Sequence, residues 1–482
     1  MKISRKLLAL SLALLLILSS LFGCAPIDDP LLPEDDSQQS DLPDSDSGNA
    51  DSEPEDDEPQ YTDGIYIDGI KLEEYKIIIP ARAELFTKYA AQNLSTYLKN
   101  EVGIRLTTYS DRTVEGEYEI LIGDTAREAS SVDIPLADNE YLLYRDGNKI
   151  ICQGNAHMVG GGVGELISML PTDGSAINIT EIPTEPTPKV FVPKEAKNVI
   201  FMIGDGMGFN TIDMAYPRFS EGFSASVLPV YGEIRTASMN SLASPNTPTD
   251  SAASGTALAT GFKTYNGRLG MDGKNKILTN LRELAHSVGA NTGVVTTDAI
   301  TGATPGAFLV HHSDRNGTEI IQAQIDQLVA QNKVDVVEGS VGNNLTKVTA
   351  DALAQLSADD TSFFIMIEEA YIDKNSHSNA ATACITAVKR FHDCIAYAIE
   401  FVLCHPDTVL IITADHETGG IRKNADGSFT YTTGSHTTSN VPIFAVGEGT
   451  EIFHGKSTDN TNIPKFLAKI FGEDNFGSEI QY

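Results

Sequence analysis

The feature that most constrains this chain is a set of near-continuous apolar runs, Asn198–Ile203, Thr292–Val295, Phe363–Ile367, Thr408–Ile412 and Val441–Val446. A strand with one wet face alternates apolar and polar residues, and these runs hardly alternate, so each is expected to be buried on both faces. Between them lie stretches with helical patterning, at Ser251–Ala259, Asn280–Val288, Ile320–Gln331 and Ala380–Cys404. The class that satisfies both observations is α/β, a mainly parallel sheet with helices on both faces.

Polar residues follow several of these runs directly. Val199–Ile203 leads to Asp205, Phe363–Ile367 leads to Glu368, Asp373 and His377, and Thr408–Ile412 leads to Asp415 and His416; Thr304 follows Thr292–Val295. In open parallel sheets a ligand site lies beyond the carboxyl ends of the strands, so these side chains should converge on one edge. Carboxylates that converge cannot all stay ionised without cations among them. Mixed imidazole and carboxylate donors suit zinc, and an oxygen-only subset suits magnesium.

A nucleophile is sought in Thr249-Asp250-Ser251-Ala252-Ala253-Ser254-Gly255-Thr256. Small residues after Ser251 let a helix start press close to a site, and a helix N-terminus favours an anion such as phosphate. Taken alone, the stretch fits an N-cap serine or a small-residue packing run equally well.

Asp250 to Thr256 resembles the signature of the alkaline phosphatase family, and Thr260 to Gly267 resembles the segment after it. The similarity continues in order through Gly204-Asp205-Gly206-Met207-Gly208, Ala303-Thr304-Pro305, Asp373 to His377, Thr413 to His416 and Ser435-His436-Thr437-Thr438, covering about residues 196–471. The resemblance implies a phosphate monoesterase with a phosphoserine intermediate, two zinc ions and one magnesium. It places one zinc on Asp373, His377 and His436, and a second on Asp205, Asp415 and His416 with Ser251. Magnesium would lie on Asp205, Thr304 and Glu368, and Arg315 would grip two phosphate oxygens.

Two positions, Gly302 and Glu369, depart from that pattern, whereas Lys374 matches it. Gly302 stands where relatives carry Asp or His, two residues before the threonine, which leaves three expectations open: a weakened magnesium site, extra water there, or a changed pH dependence. Lys374 is then expected to lack its usual carboxylate partner and to reach towards phosphate. Glu369 replaces a small residue and adds a carboxylate expected to perturb the site. His311 and His312 read as structural or supporting residues near Arg315, and His157, His286, His392, His405 and His454 as structural or surface residues.

The rest of the 482 residues organises around this catalytic part, 196–482. Residues 1–23 read as a secretion signal, with Lys2, Arg5 and Lys6 before a leucine-rich run too short to span a bilayer. The residues up to Cys24 resemble a bacterial lipobox, which implies lipidation of Cys24, a membrane anchor and an extracytoplasmic location. Residues 24–60 carry acidic runs with no Lys or Arg from Ile27 to Gln60 and read as a disordered tether. Residues 61–182 read as a small α/β unit resembling the accessory N-terminal domain of α-glucuronidases, which would give it a glycan to contact. A Pro-rich linker, 183–195, joins the two. Gly160-Gly161-Gly162 lacks the spacing of a phosphate loop and reads as close packing at a helix start.

A net charge of −32 argues against nucleic acid as a partner. Cys384, Cys394 and Cys404 recur every ten residues in a helical stretch, too far apart for disulfides. Two rival readings stand beside the phosphatase: a phosphodiesterase, sulfatase or phosphomutase of the same metal superfamily, and a surface-binding lipoprotein with a degenerate catalytic part.

Overall fold

Five expected apolar runs appear as strands of one eight-stranded sheet. In the computed structural model these are β1 (Asn198–Gly204), β3 (Asn291–Thr296), β5 (Phe363–Glu369), β6 (Thr408–Thr413) and β7 (Val441–Val446), joined by β2 (Val230–Arg235), β4 (Val336–Glu338) and β8 (Ser457–Asp459). The spatial order is β4-β3-β5-β1-β6-β7-β2-β8. Strand β7 runs antiparallel to both neighbours, and the other pairs are parallel. The structure describes residues 61, 63–171, 175–220 and 222–478. The signal segment, Cys24 and the acidic tether therefore lie outside the described residues, and among those described no helix is long and apolar enough to cross a membrane.

Strands β1, β5 and β6 are buried at every residue, as runs without alternation require. Strand β2 was hidden from that criterion because it alternates buried and exposed residues near the sheet edge. Strands β4 and β8 are three residues long, too short to leave a pattern. Register fixes what happens at the carboxyl edge: Glu368 on β5 is level with Ile203 on β1 and with Thr296 on β3, and Ile203 is level with Thr413 on β6. The residues that follow these strands are thereby delivered to one place.

Four helices of this part matter for the site: α1 (Ser251–Thr260), α2 (Ala303–Leu309), α3 (Tyr371–His377) and α4 (Ala381–Cys404). The last is amphipathic and packs Phe391, Ile395 and Val402 into the core. Each such side chain contributes roughly 1.5–3 kcal/mol of burial free energy. Cys384, Cys394 and Cys404 on α4, with Cys152, are buried free thiols.

The small α/β part forms a six-stranded sheet, with Glu119–Ile122 at its centre and the Glu140–Asp146/Lys149–Gly154 hairpin beside it, turned by Gly147 at φ +56°. Within the stretch expected to be a linker, Lys189–Val190 is an edge strand paired with Glu140 and Tyr141. Helices Leu85–Tyr97 and Val159–Ser168 pack on α4, with Tyr89 edge-on to Tyr397 at 5.4 Å. The three glycines lie inside the second helix, which starts four residues before the expected Val163. Glycine disfavours helix by about 1 kcal/mol, but packing overrides it. A Cβ at Gly161 would come 2.6 Å from the Tyr141 ring, and one at Gly164 would come 2.3 Å from the Leu403 carbonyl oxygen.

Candidate active site

Asp205 follows β1, and its amide donates to the Glu369 carbonyl at 3.1 Å. The next residue, Gly206, has φ +74° and lies so close to Asp373 that a Cβ would sit 2.9 Å from its Cα. Glycine is needed there on both counts. The Gly206 amide donates to Asp415 Oδ1 at 3.1 Å, tying the ends of β1 and β6 together.

Two ligand-like clusters result. In the first, Asp373 Oδ1 lies 3.3 Å from His377 Nε2 and 3.4 Å from His436 Nε2, and the two imidazole nitrogens are 3.1 Å apart. In the second, His416 Nε2 lies 3.5 Å from Asp205 Oδ1 and 3.2 Å from Asp415 Oδ2. The His416 and His436 rings stack at 3.6 Å and join the clusters. Outer contacts fix the imidazoles: Nδ1 of His377 faces the Gly434 carbonyl at 2.8 Å, and Nδ1 of His436 faces the Thr249 carbonyl at 2.8 Å. That leaves each Nε2 turned into the site, the arrangement metal-binding histidines use.

Ser251 is the first residue of α1, capped by Asp250, whose Oδ1 accepts from the Ala253 amide at 2.9 Å. Its Oγ lies 3.2 Å from His416 Nε2. Every residue of α1 is buried, which the small side chains permit. Arg315 Nη1 reaches Asp250 Oδ2 at 3.3 Å, which places the guanidinium one residue from Ser251. On the far side, Thr296 Oγ1 donates to Glu368, and Thr304 is the buried second residue of α2.

Burial is the main force on the acids. It pushes Glu368 up to about 8 and Asp415 up to about 6, and raises Asp205 well above the carboxylate range, helped by the charges of Asp415 and Asp373. Asp373 goes the other way: burial opposes its charge, but hydrogen bonds with His377 and His436 outweigh it. That same contact lifts His377 to about 9, while burial drives His416 well down. Asp205 Oδ1, Asp415 Oδ2 and Thr304 Oγ1 are buried without a hydrogen-bond partner. Buried orphans of this kind cost about 1–3 kcal/mol each, and here they sit among carboxylates and imidazoles. The donor set fits divalent cations: two mixed nitrogen and oxygen clusters, and the oxygen donors Asp205, Thr304 and Glu368.

The sequence model of the family described as Alkaline phosphatase matches residues 196–343 and 340–431, the span that carries these residues. This part of the chain matches the alkaline phosphatase family. The chain is 31% identical over 295 residues to Alkaline phosphatase 4 of Bacillus subtilis, covering 48% of this chain and 64% of that protein, slightly under two thirds of its length. It is 42% identical over 127 residues to the Escherichia coli alkaline phosphatase, covering 25% of this chain and 27% of the other. Among solved structures, that of the alkaline phosphatase from the Antarctic bacterium TAB5 superposes with a TM-score of 0.52 at 28% identity, covering 58% of this chain and 99% of that one.

Two expectations about departures from the alkaline phosphatase pattern are corrected. Lys374 has a partner, an ion pair with Asp298, so its charge is not released towards phosphate. Glu369 does not burden the site: Arg390 binds it through two nitrogens, with Nη2 to Oε1 at 2.7 Å, and the Thr297 hydroxyl donates to it at 3.2 Å. His311 is held between Glu283 and the Gly270 carbonyl, and His392 between Ser224 and the Phe219 ring, as structural histidines are.

Sequence reasoning missed Thr418, whose hydroxyl donates to Asp373 at 2.5 Å and faces His416 Nδ1 at 3.2 Å. It also missed Asp298, Thr296, Arg390 and the part played by Asp250. Asp298 was findable, since it lies two residues after the end of β3, on the edge where Asp205 follows β1. Arg390 was not, because nothing marks one arginine within a long amphipathic helix.

Proposed function

We propose that the chain hydrolyses phosphate monoesters with Ser251 as nucleophile. The observation that carries this reading is the position of Ser251 Oγ, at the start of a buried ten-residue helix and 3.2 Å from His416 Nε2, with Arg315 paired to the adjoining Asp250. The helix N-terminus and the guanidinium both favour a phosphoryl group there.

Ser251 Oγ would form a bond to phosphorus as the bond to the alcohol oxygen breaks, giving phosphoserine and the free alcohol. Water would then add to phosphorus, Ser251 would regain its proton, and phosphate would leave. Arg315 would orient two phosphate oxygens, held in place by Asp250. Asp250 in turn is fixed by the Ala253 and Gly267 amides, each at 2.9 Å. Behind Asp415, Ser254 donates to its carbonyl at 2.5 Å and Asn460 donates to Ser254 at 3.0 Å, so the loop after β6 is braced.

Zinc on Asp373, His377 and His436, zinc on Asp205, Asp415 and His416, and magnesium on Asp205, Thr304 and Glu368 would offset the carboxylate charge, activate the serine hydroxyl and stabilise the leaving oxygen. A solved variant of the TAB5 alkaline phosphatase with His replaced by Asp is described with magnesium in its M3 site, which supports magnesium at the third set here. In the same reading Cys24 carries a lipid anchor, residues 24–60 space the catalytic part from a bacterial membrane on its outer side, and residues 61–182 contact glycan.

Hydrolysis of an aryl phosphate by the purified full-length chain between pH 7 and 10, with zinc and magnesium supplied, tests the proposal. Turnover abolished in Ser251→Ala and by chelation is expected. A chain that binds zinc yet hydrolyses no monoester would overturn it, and preference for a bis-aryl phosphate would move the assignment to diesters.

A further inference from the structure

Gly302 has φ −58° and ψ 163°, a conformation open to any residue, so its backbone does not ask for glycine. Space does. A Cβ at this position would lie 2.4 Å from Asp298 Oδ2 and 2.9 Å from its Cγ. The room a side chain at 302 would use is taken by a carboxylate from four residues upstream.

Asp298 is firmly placed. Its amide donates to Thr296 Oγ1 at 2.8 Å, and that same hydroxyl donates to Glu368. Its Oδ1 accepts from the Ala299 amide at 2.7 Å and pairs with Lys374, whose ammonium lies 5.1 Å from the Tyr371 ring. Oδ2 is the oxygen directed at Gly302. The Asp298 charge is felt at Glu368, where it adds to the effect of burial. The carboxylate keeps about one fifth of its surface exposed, so water reaches it. Magnesium usually retains several waters, and those waters need acceptors.

Resting on the functional reading above, we propose that Asp298 replaces from the end of β3 the side chain absent at 302, serving as outer carboxylate of the Asp205–Thr304–Glu368 magnesium site and as anchor of Lys374. It is a positioning residue, acting through Glu368 and Lys374. Gly302 is then one half of an exchange: it gives up the carboxylate and clears the space that Asp298 fills.

Calorimetric titration of magnesium into the zinc-loaded full chain tests this. Asp298→Asn keeps the shape and removes the charge, and should weaken magnesium binding about 10- to 100-fold, as loss of an outer partner does, with zinc content and thermal midpoint unchanged. The double exchange Asp298→Gly with Gly302→Asp should recover most of the lost affinity. Magnesium binding unchanged in Asp298→Asn, or a double exchange no better than Asp298→Asn alone, would overturn the proposal. If the unaltered chain hydrolyses monoesters through Ser251 but binds no magnesium, this inference falls and the functional reading stands. If it neither takes up zinc nor hydrolyses them, both fall.

Discussion

At the amino end of the main sheet, the buried amide of Asn198 finds protein partners for both its nitrogen and its oxygen. Asn198 Nδ2 donates to Asp407 Oδ1 at 3.2 Å, its Oδ1 accepts from the Phe363 amide at 3.1 Å, and Lys197 pairs with Asp407 at 3.1 Å. At the carboxyl end, Asp205 Oδ1, Asp415 Oδ2 and Thr304 Oγ1 stay unanswered. The same strands make both ends, so strand chemistry does not explain the difference. The two ends differ in what their polar groups are for. The Asn198 amide paired internally holds the fold, and the open groups among the carboxylates and imidazoles are the ones a bound cation would answer. Removing a carboxyl-end group should therefore cost activity, and removing an amino-end group should cost stability.

The largest effect is expected for Ser251→Ala, a loss of monoester turnover on the order of 10³-fold or more, with the thermal midpoint nearly unmoved. Steady-state assay beside a thermal melt checks both halves. Metal affinity should come next. In the metal-free chain, protons sit at pH 7 on Glu368, held up to about 8 by burial, and on His377, held up to about 9 by Asp373. Binding must expel them, so affinity should fall as pH drops, by up to about tenfold per pH unit for each proton displaced. Zinc and magnesium titrations between pH 9 and 6 would show this, and a flat profile would break the contrast between the two ends.

Arg315→Ala removes a charge-assisted contact and should lower kcat/KM about 10- to 100-fold, mainly through KM. The smallest change belongs to the amino end: Asn198→Ala should cost about 1–3 kcal/mol of stability, because Asp407 and the Phe363 amide lose their partner. Activity per folded molecule should be unaffected, as denaturant unfolding and assay of one sample would establish.

What was legible in the sequence follows the same division. Strands β1, β5 and β6 could be read because burial on both faces leaves no alternation, and Asp205, Glu368 and Asp415 because they stand next to those strand ends. The antiparallel sense of β7 was not legible, since an apolar run carries no direction. The helix around Gly160 was read short, because its glycines answer to Tyr141, Leu142 and Leu403, all distant along the chain or on another element. At the site, the donors emerged from position and motif, whereas their supports did not. Lys374 with Asp298 and Glu369 with Arg390 are pairs whose partners lie 76 and 21 residues apart, and only the fold brings them together. Lys374 and Glu369, each read alone, therefore suggested defects where the structure has partners.

In the proposed reaction Ser251 takes the phosphoryl group. Acid quenching of the full chain during turnover of an aryl phosphate, followed by mass spectrometry of the peptide that contains Ser251, tests it most directly. A phosphate on Ser251 that forms within one turnover and disappears when substrate is exhausted is the predicted result. Continued hydrolysis with Ser251 unmodified at every quench time, or undiminished in Ser251→Ala, would contradict it.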